Sequence, residues 1–111
     1  MNESEPRLEP LSELLEHAID SQYGLIYLQG DCPWRADSLG LIYFTDIYES
    51  HRLEDTHPDF MRQHNLQYVM QVPRAQDAIV NAYLQKEEVS TEELVACFNY
   101  HYLHSGFLTL T

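Results

Sequence analysis

A chain of 111 residues with 44% hydrophobic content has the size and make-up of one globular domain, with no room for two. Such a chain buries about two-thirds of its unfolded surface and needs neither metal nor disulfide to fold. Six Lys and Arg against 18 Asp and Glu give a net charge of −12, which disfavours direct binding to nucleic acid or to anionic membranes and attracts basic proteins.

Residues 1–10 carry Glu3, Glu5, Glu9 and two prolines. They are expected to form a flexible arm ahead of a single domain over 11–111. Leu11, Leu14, Leu15, Ala18 and Ile19 recur at helical spacing, which predicts an amphipathic helix from about Leu11 to Asp20. Gly24 opens the short strand-forming run Leu25-Ile26-Tyr27-Leu28, and Gly30-Asp31-Cys32-Pro33 reads as a turn. The run Leu39 to Thr45 is continuously apolar until its last residue. It is expected to be a central strand buried on both faces. Asp46 to Asp59, rich in acids and histidine, is expected to be an exposed loop. Pro58 suits the first position of a helical turn through His64.

Leu66 to Val72 predicts a third strand, and Pro73 opens a second long helix with Ala75, Ala78, Ile79, Ala82 and Tyr83 on one face. Ser90-Thr91-Glu92-Glu93 has the form of a capping box. The helix it starts carries Leu94, Val95, Phe98 and Tyr102 on one side, and Gly106 is placed to end it in the left-handed conformation. Phe107 to Leu110 is expected to add an edge strand. The order α-β-β-(α)-β-α-α-β implies an α+β fold: a small antiparallel or mixed sheet of three to four strands with about three helices packed on it.

The four glycines are isolated, so neither a dinucleotide nor a P-loop spacing is present. Cys32 and Cys97 form no CxxC pair and read most simply as two free thiols of a reducing cytoplasm, with one disulfide between them as the alternative. The start lacks the basic-then-apolar pattern of a signal peptide, and no apolar run is long enough to span a bilayer. Cys97, His101 and His104 share one helix face and carry zinc-type ligand atoms. Cys97 and His104 stand about 10 Å apart along the axis, too far to meet one ion. Only Cys97/His101 or His101/His104 can act as a pair, with a second pair needed from His51, His57, His64 or nearby acids. No cofactor is expected. Cys32 would need a base and a lowered pKa to act as a nucleophile. Tyrosine and tryptophan anchor interfaces through large apolar area with a polar tip. The candidate contacts for a protein partner are therefore Asp46, Tyr48, Glu49, Glu54, Asp55 and Asp59, together with Trp34.

Several short pieces carry a resemblance: Leu25-Ile26-Tyr27-Leu28, Pro33-Trp34, an acidic stretch before Leu66-Gln67-Tyr68, Glu92-Glu93-Leu94, and Phe98-Asn99-Tyr100-His101-Tyr102 with Phe107. Over about residues 11–110 the chain resembles an uncharacterised family of small acidic bacterial proteins. In size and charge it is similar to immunity proteins of toxin systems. The resemblance implies no catalytic residues. The leading expectation is a non-enzymatic protein-binding module, an immunity protein that neutralises a basic toxin. One alternative is a nucleic-acid mimic that inhibits a DNA-binding protein, which needs acids spaced like phosphates along an elongated surface. The other is a small metal- or thiol-dependent enzyme. An apolar helix face or the last strand would equally serve a homodimer.

Overall fold

The computed structural model describes residues 7–45 and 52–110. Four strands form one antiparallel sheet in the order β1-β3-β2-β4: β1 Glu9–Pro10, β2 Gly24–Gln29, β3 Leu39–Phe44 and β4 Leu66–Gln71. Strand β2 pairs on both sides, and Gly24 through Leu28 are all buried. The strand buried on both faces is thus β2 and not β3, contrary to expectation. Beyond Leu39 and Gly40, β3 has no described neighbour on its outer side, and its ends, Leu39 and Phe44, are exposed. Continuous apolarity alone does not reveal which of two adjacent runs gains the second neighbour. Glu9–Pro10, assigned from sequence to the arm, joins the sheet as β1, while residues 1–6 lie outside the described residues. Glycine is required at position 40, because a Cβ there would collide with the Tyr27 carbonyl oxygen and the Leu28 side chain.

The sheet has two covered faces of unequal depth. On one lie α1 (Leu11–Ala18), α4 (Val72–Gln85) and α5 (Thr91–His104). Their apolar stripes meet Ile26, Leu28, Val69 and Met70 in the main core. Both Val69 and Met70 enter that core because the β2–β4 register shifts between Ile26 and Tyr27, which is a bulge. The result is the α+β architecture expected: a four-stranded antiparallel sheet with three main helices packed on it.

Helix ends find partners for their orphan backbone groups. The amides of Leu11 and Ser12 donate to the Ser38 and Ala36 carbonyls at 2.7 and 3.0 Å, so the 34–38 loop caps α1. The Gln76 side-chain amide closes the other end, donating to Ala18 O and Ser21 O. Helix α5 begins with the capping box expected from sequence: the Glu93 amide donates to Ser90 Oγ, and the Ser90 amide donates to Glu93 Oε1 at 2.9 Å. The Lys86 ammonium, 2.6 Å from Glu93 Oε2, and the Ser90 amide hold the Glu93 carboxyl below the usual carboxylate range. A depressed carboxyl stabilises above its unfolded pKa and loses that contribution as pH falls through the folded value. In an acid titration followed by amide NMR, the Ser90 amide is expected to move below the ordinary glutamate range, and movement within that range would contradict the cap. At the far end of α5, Ser105 and not Gly106 adopts the left-handed conformation, with φ 56°.

Phe107 to Leu110 forms no strand. The Gln85 side chain supplies the pairing a strand would need: its amide nitrogen donates to Leu108 O at 2.8 Å, and its oxygen accepts from Leu110 N at 2.7 Å. Phe107 stacks on His101. The tail is thereby held along the α4–α5 pair and offers no sheet edge for a homodimer. The radius of gyration is 14.0 Å, near the about 13 Å typical of a compact chain of this length. No helix among the described residues is long and apolar enough to cross a membrane.

Candidate functional site: the acidic, tyrosine-rich face

Among the described residues, two short helices cover the second face of the sheet, α2 (Leu53–Thr56) and α3 (Pro58–Gln63). Beneath them Leu25, Tyr27, Leu41, Leu53 and Leu66 are buried, while Tyr23, Tyr43, Phe60, Met61 and Tyr68 are half-buried around them. Of the stretch Asp46 to Asp59, expected to be an exposed loop, positions 46–51 lie outside the described residues, and Leu53–Thr56 is helical. Its anchor is Leu53, fully buried among residues that alternation along β2 and β3 sends to this face. Pro58 opens α3 as expected from sequence.

One buried phenol organises this face. Tyr27 Oη donates to Glu54 Oε1 at 2.7 Å and accepts from Leu53 N at 3.1 Å. That amide lies in the first turn of α2, which has no side-chain cap of its own. A tyrosine of the sheet thus substitutes for the missing cap. Burial, and then the bond to Glu54, push the Tyr27 hydroxyl well above its ordinary pKa, so it remains a neutral donor. Arg52 lies 5.1 Å from the Tyr68 ring centre and 4.0 Å from Glu54 Oε2. Tyr68 meets Tyr27 edge to face at 5.8 Å. Thr56 Oγ1 lies 3.1 Å from Tyr43 Oη and 3.0 Å from His57 Nδ1. Replacing Tyr27 with phenylalanine is expected to cost about 1–3 kcal/mol, because the Leu53 amide loses its partner. Hydrogen exchange at Leu53 and Glu54 should rise in that variant, and unchanged exchange would contradict the anchoring role.

The acids singled out from sequence fall into three states. Glu54 is engaged internally by Tyr27. Asp59 is exposed and paired with Arg62. Asp55 is exposed and makes no ion pair with any other described residue. Asp46, Tyr48 and Glu49 lie outside the described residues. A hollow of about 460 Å³ adjoins Glu54 between Pro58, Met61, Arg62 and Leu66. A second polar hollow of about 590 Å³ lies between Gln29, Asp37, Ser38 and His64.

Trp34 is not a surface anchor. It is 3% exposed and belongs to the main core. Its ring meets Tyr102 at 4.9 Å and Phe98 at 6.1 Å. Its indole nitrogen donates to the Gln29 and Gly30 carbonyls. Asn99, buried inside α5, holds its backbone: Oδ1 accepts from Trp34 N at 2.8 Å, and Nδ2 donates to Trp34 O at 2.9 Å and to Val95 O at 3.0 Å. Sequence reasoning missed Asn99. The signal was a polar residue next to Phe98 on the inward face of a helix, where asparagine is a weak helix former.

The thiols and histidines do not converge. Cys32 donates to Asn99 Oδ1 at 3.3 Å, and burial pushes its thiol pKa up, away from the thiolate. Cys97 is buried, and burial, with the Glu93 charge, also pushes its pKa up. His101 is buried, with Nδ1 2.9 Å from Gly106 O, while His104 packs on Tyr100. Among the described residues no three His, Cys, Asp or Glu side chains are grouped to hold a metal ion. Sequence reasoning also missed Arg52 over Tyr68.

Fold and site together define a small α+β protein whose sheet has one deep helical face and one thin, tyrosine-lined acidic face. The chain belongs to the family of the domain of unknown function DUF7716, whose model matches residues 8–110. No curated protein and no solved structure matches it.

Proposed function

We propose that the chain is a non-catalytic protein-binding module for a basic partner, used as an immunity protein is used to cover and neutralise a basic toxin. The observation that supports this role is the thin face of the sheet. There Asp55 and Asp59 stand exposed on α2 and α3, above the half-buried rings of Tyr23, Tyr43 and Tyr68. Exposed acids steer a basic protein and set its orientation, and partly covered tyrosines add apolar contact area with polar tips. On this face Arg62 pairs with Asp59 and Arg52 lies beside Glu54, which leaves Asp55 without an ion pair among the described residues. The acids are scattered over α1, α2, α3, α4 and α5, which favours this role over nucleic-acid mimicry, a role that needs charges in a row spaced like phosphates. Contact with the partner takes place in the cytoplasm, where the two free thiols stay reduced.

The test is capture from the native cell lysate at low and high salt, with wild type beside an Asp55→Lys/Asp59→Lys variant. A basic protein held by wild type, released by salt and lost by the variant is the expected result. Equal capture by both proteins would remove this face from the interface.

A further inference from the structure

A second apolar exposure lies on a different layer of the molecule. Val80, Tyr83 and Leu84 occupy the last two turns of α4 at i, i+3 and i+4, and are 47%, 48% and 79% exposed. That spacing stacks them along one stripe of the helix. The opposite stripe, Val72, Ala75, Ala78, Ile79 and Ala82, is buried against the protein's own core. Helix α4 is therefore apolar on two faces and covered on one, whereas a helix that is apolar all round is ordinarily buried all round. The C-terminal tail does not supply the cover, because Gln85 binds it one residue further round the helix.

The rim of the stripe identifies the occupant. Asp77 lies one turn before Val80, and Glu87 and Glu88 follow the helix end. All three are exposed and make no ion pair with any other described residue. The nearest cations in sequence are engaged elsewhere: Arg74 donates to His101 O, and Lys86 is turned to Glu93. A second copy of the chain fits poorly. Antiparallel pairing of two α4 stripes about Val80 and Leu84 would set Asp77 of each copy toward Glu87 and Glu88 of the other, between bodies of net charge −12. An amphipathic helix with apolar residues at i, i+3 and i+4 and flanking Lys or Arg meets both the stripe and the rim.

We propose that the outer stripe of α4 docks a basic amphipathic helix of a partner protein. Docking here goes beyond the role of the α2–α3 face and does not depend on it, since different residues carry it. The probe is a labelled Leu/Lys peptide of about 18 residues with apolar positions at helical spacing, beside a scrambled peptide of the same composition. Both are titrated into the full-length protein. The ordered peptide is expected to bind at least about tenfold more tightly than the scrambled one, as burial of one leucine implies. Leu84→Ser is expected to remove most of that difference, and Val80→Ser part of it. Both positions are exposed, so the fold survives, and Asp55→Lys/Asp59→Lys should leave the ordered-to-scrambled ratio unchanged. Equal binding of the two peptides, an unchanged ratio in Leu84→Ser, or a wild-type dimer that Leu84→Ser dissolves would each overturn the proposal. Equal lysate capture by wild type and Asp55→Lys/Asp59→Lys, with the Leu84-dependent peptide binding intact, would sink the α2–α3 role alone.

Discussion

Replacing Asn99 with leucine is expected to destabilise the protein by about 3–4 kcal/mol, although the two side chains share the same branched outline. Its amide satisfies both the N–H and the C=O of Trp34. Each orphaned buried group costs about 1–3 kcal/mol. The Cys32 thiol loses its acceptor as well. The effect reaches beyond one residue, because the Trp34 loop continues into the Ala36 and Ser38 carbonyls that cap α1. Loss of the clasp therefore loosens α1 along with the 30–38 loop. Urea unfolding checks the magnitude. Hydrogen exchange at Leu11 and Ser12 checks the route, and a fall in stability without faster exchange there would contradict it.

Trp34→Ala is expected to cost about 3–5 kcal/mol, the usual range for deleting a buried aromatic side chain. The lost indole leaves a cavity beside Phe98 and Tyr102 and strips a donor from the Gln29 and Gly30 carbonyls. Trp34→Phe should cost less, since it keeps a ring but not the donor. A docking anchor behaves differently: its removal weakens partner binding and leaves the unfolding curve in place. An unchanged denaturation midpoint in Trp34→Ala would return this residue to the surface.

Much of the architecture was legible in the sequence because local signals agreed with it. The Ser90–Glu93 box marks the start of α5, Leu11 to Ala18 carry the period of α1, and the apolar run at Leu39 marks β3. What depended on distant partners was not legible. Which strand is central is decided by where β4 adds, and β4 adds to β2. The strand expected at Phe107 to Leu110 has suitable residues but no sheet edge to join, and Gln85 takes it instead. The acidic stretch looked like a loop because only one residue of α2, Leu53, is buried. Its anchor, Tyr27, is 26 residues away in sequence. The same distance problem governs the site. Asp55 and Asp59 stand on the surface as expected, but charge alone could not show that Glu54 is engaged by a buried phenol. Nor could the position of Trp34 in a turn show that Asn99, 65 residues later, draws it into the core.

The most direct test of the binding role is the association rate constant with the captured basic partner, measured against ionic strength for wild type and for Asp55→Lys/Asp59→Lys. Exposed charges act through encounter, so wild type should associate more slowly as salt rises, and the variant should associate more slowly at low salt with a flatter dependence. Identical rates and identical salt dependence for the two proteins would show that the acidic α2–α3 face takes no part in recognition.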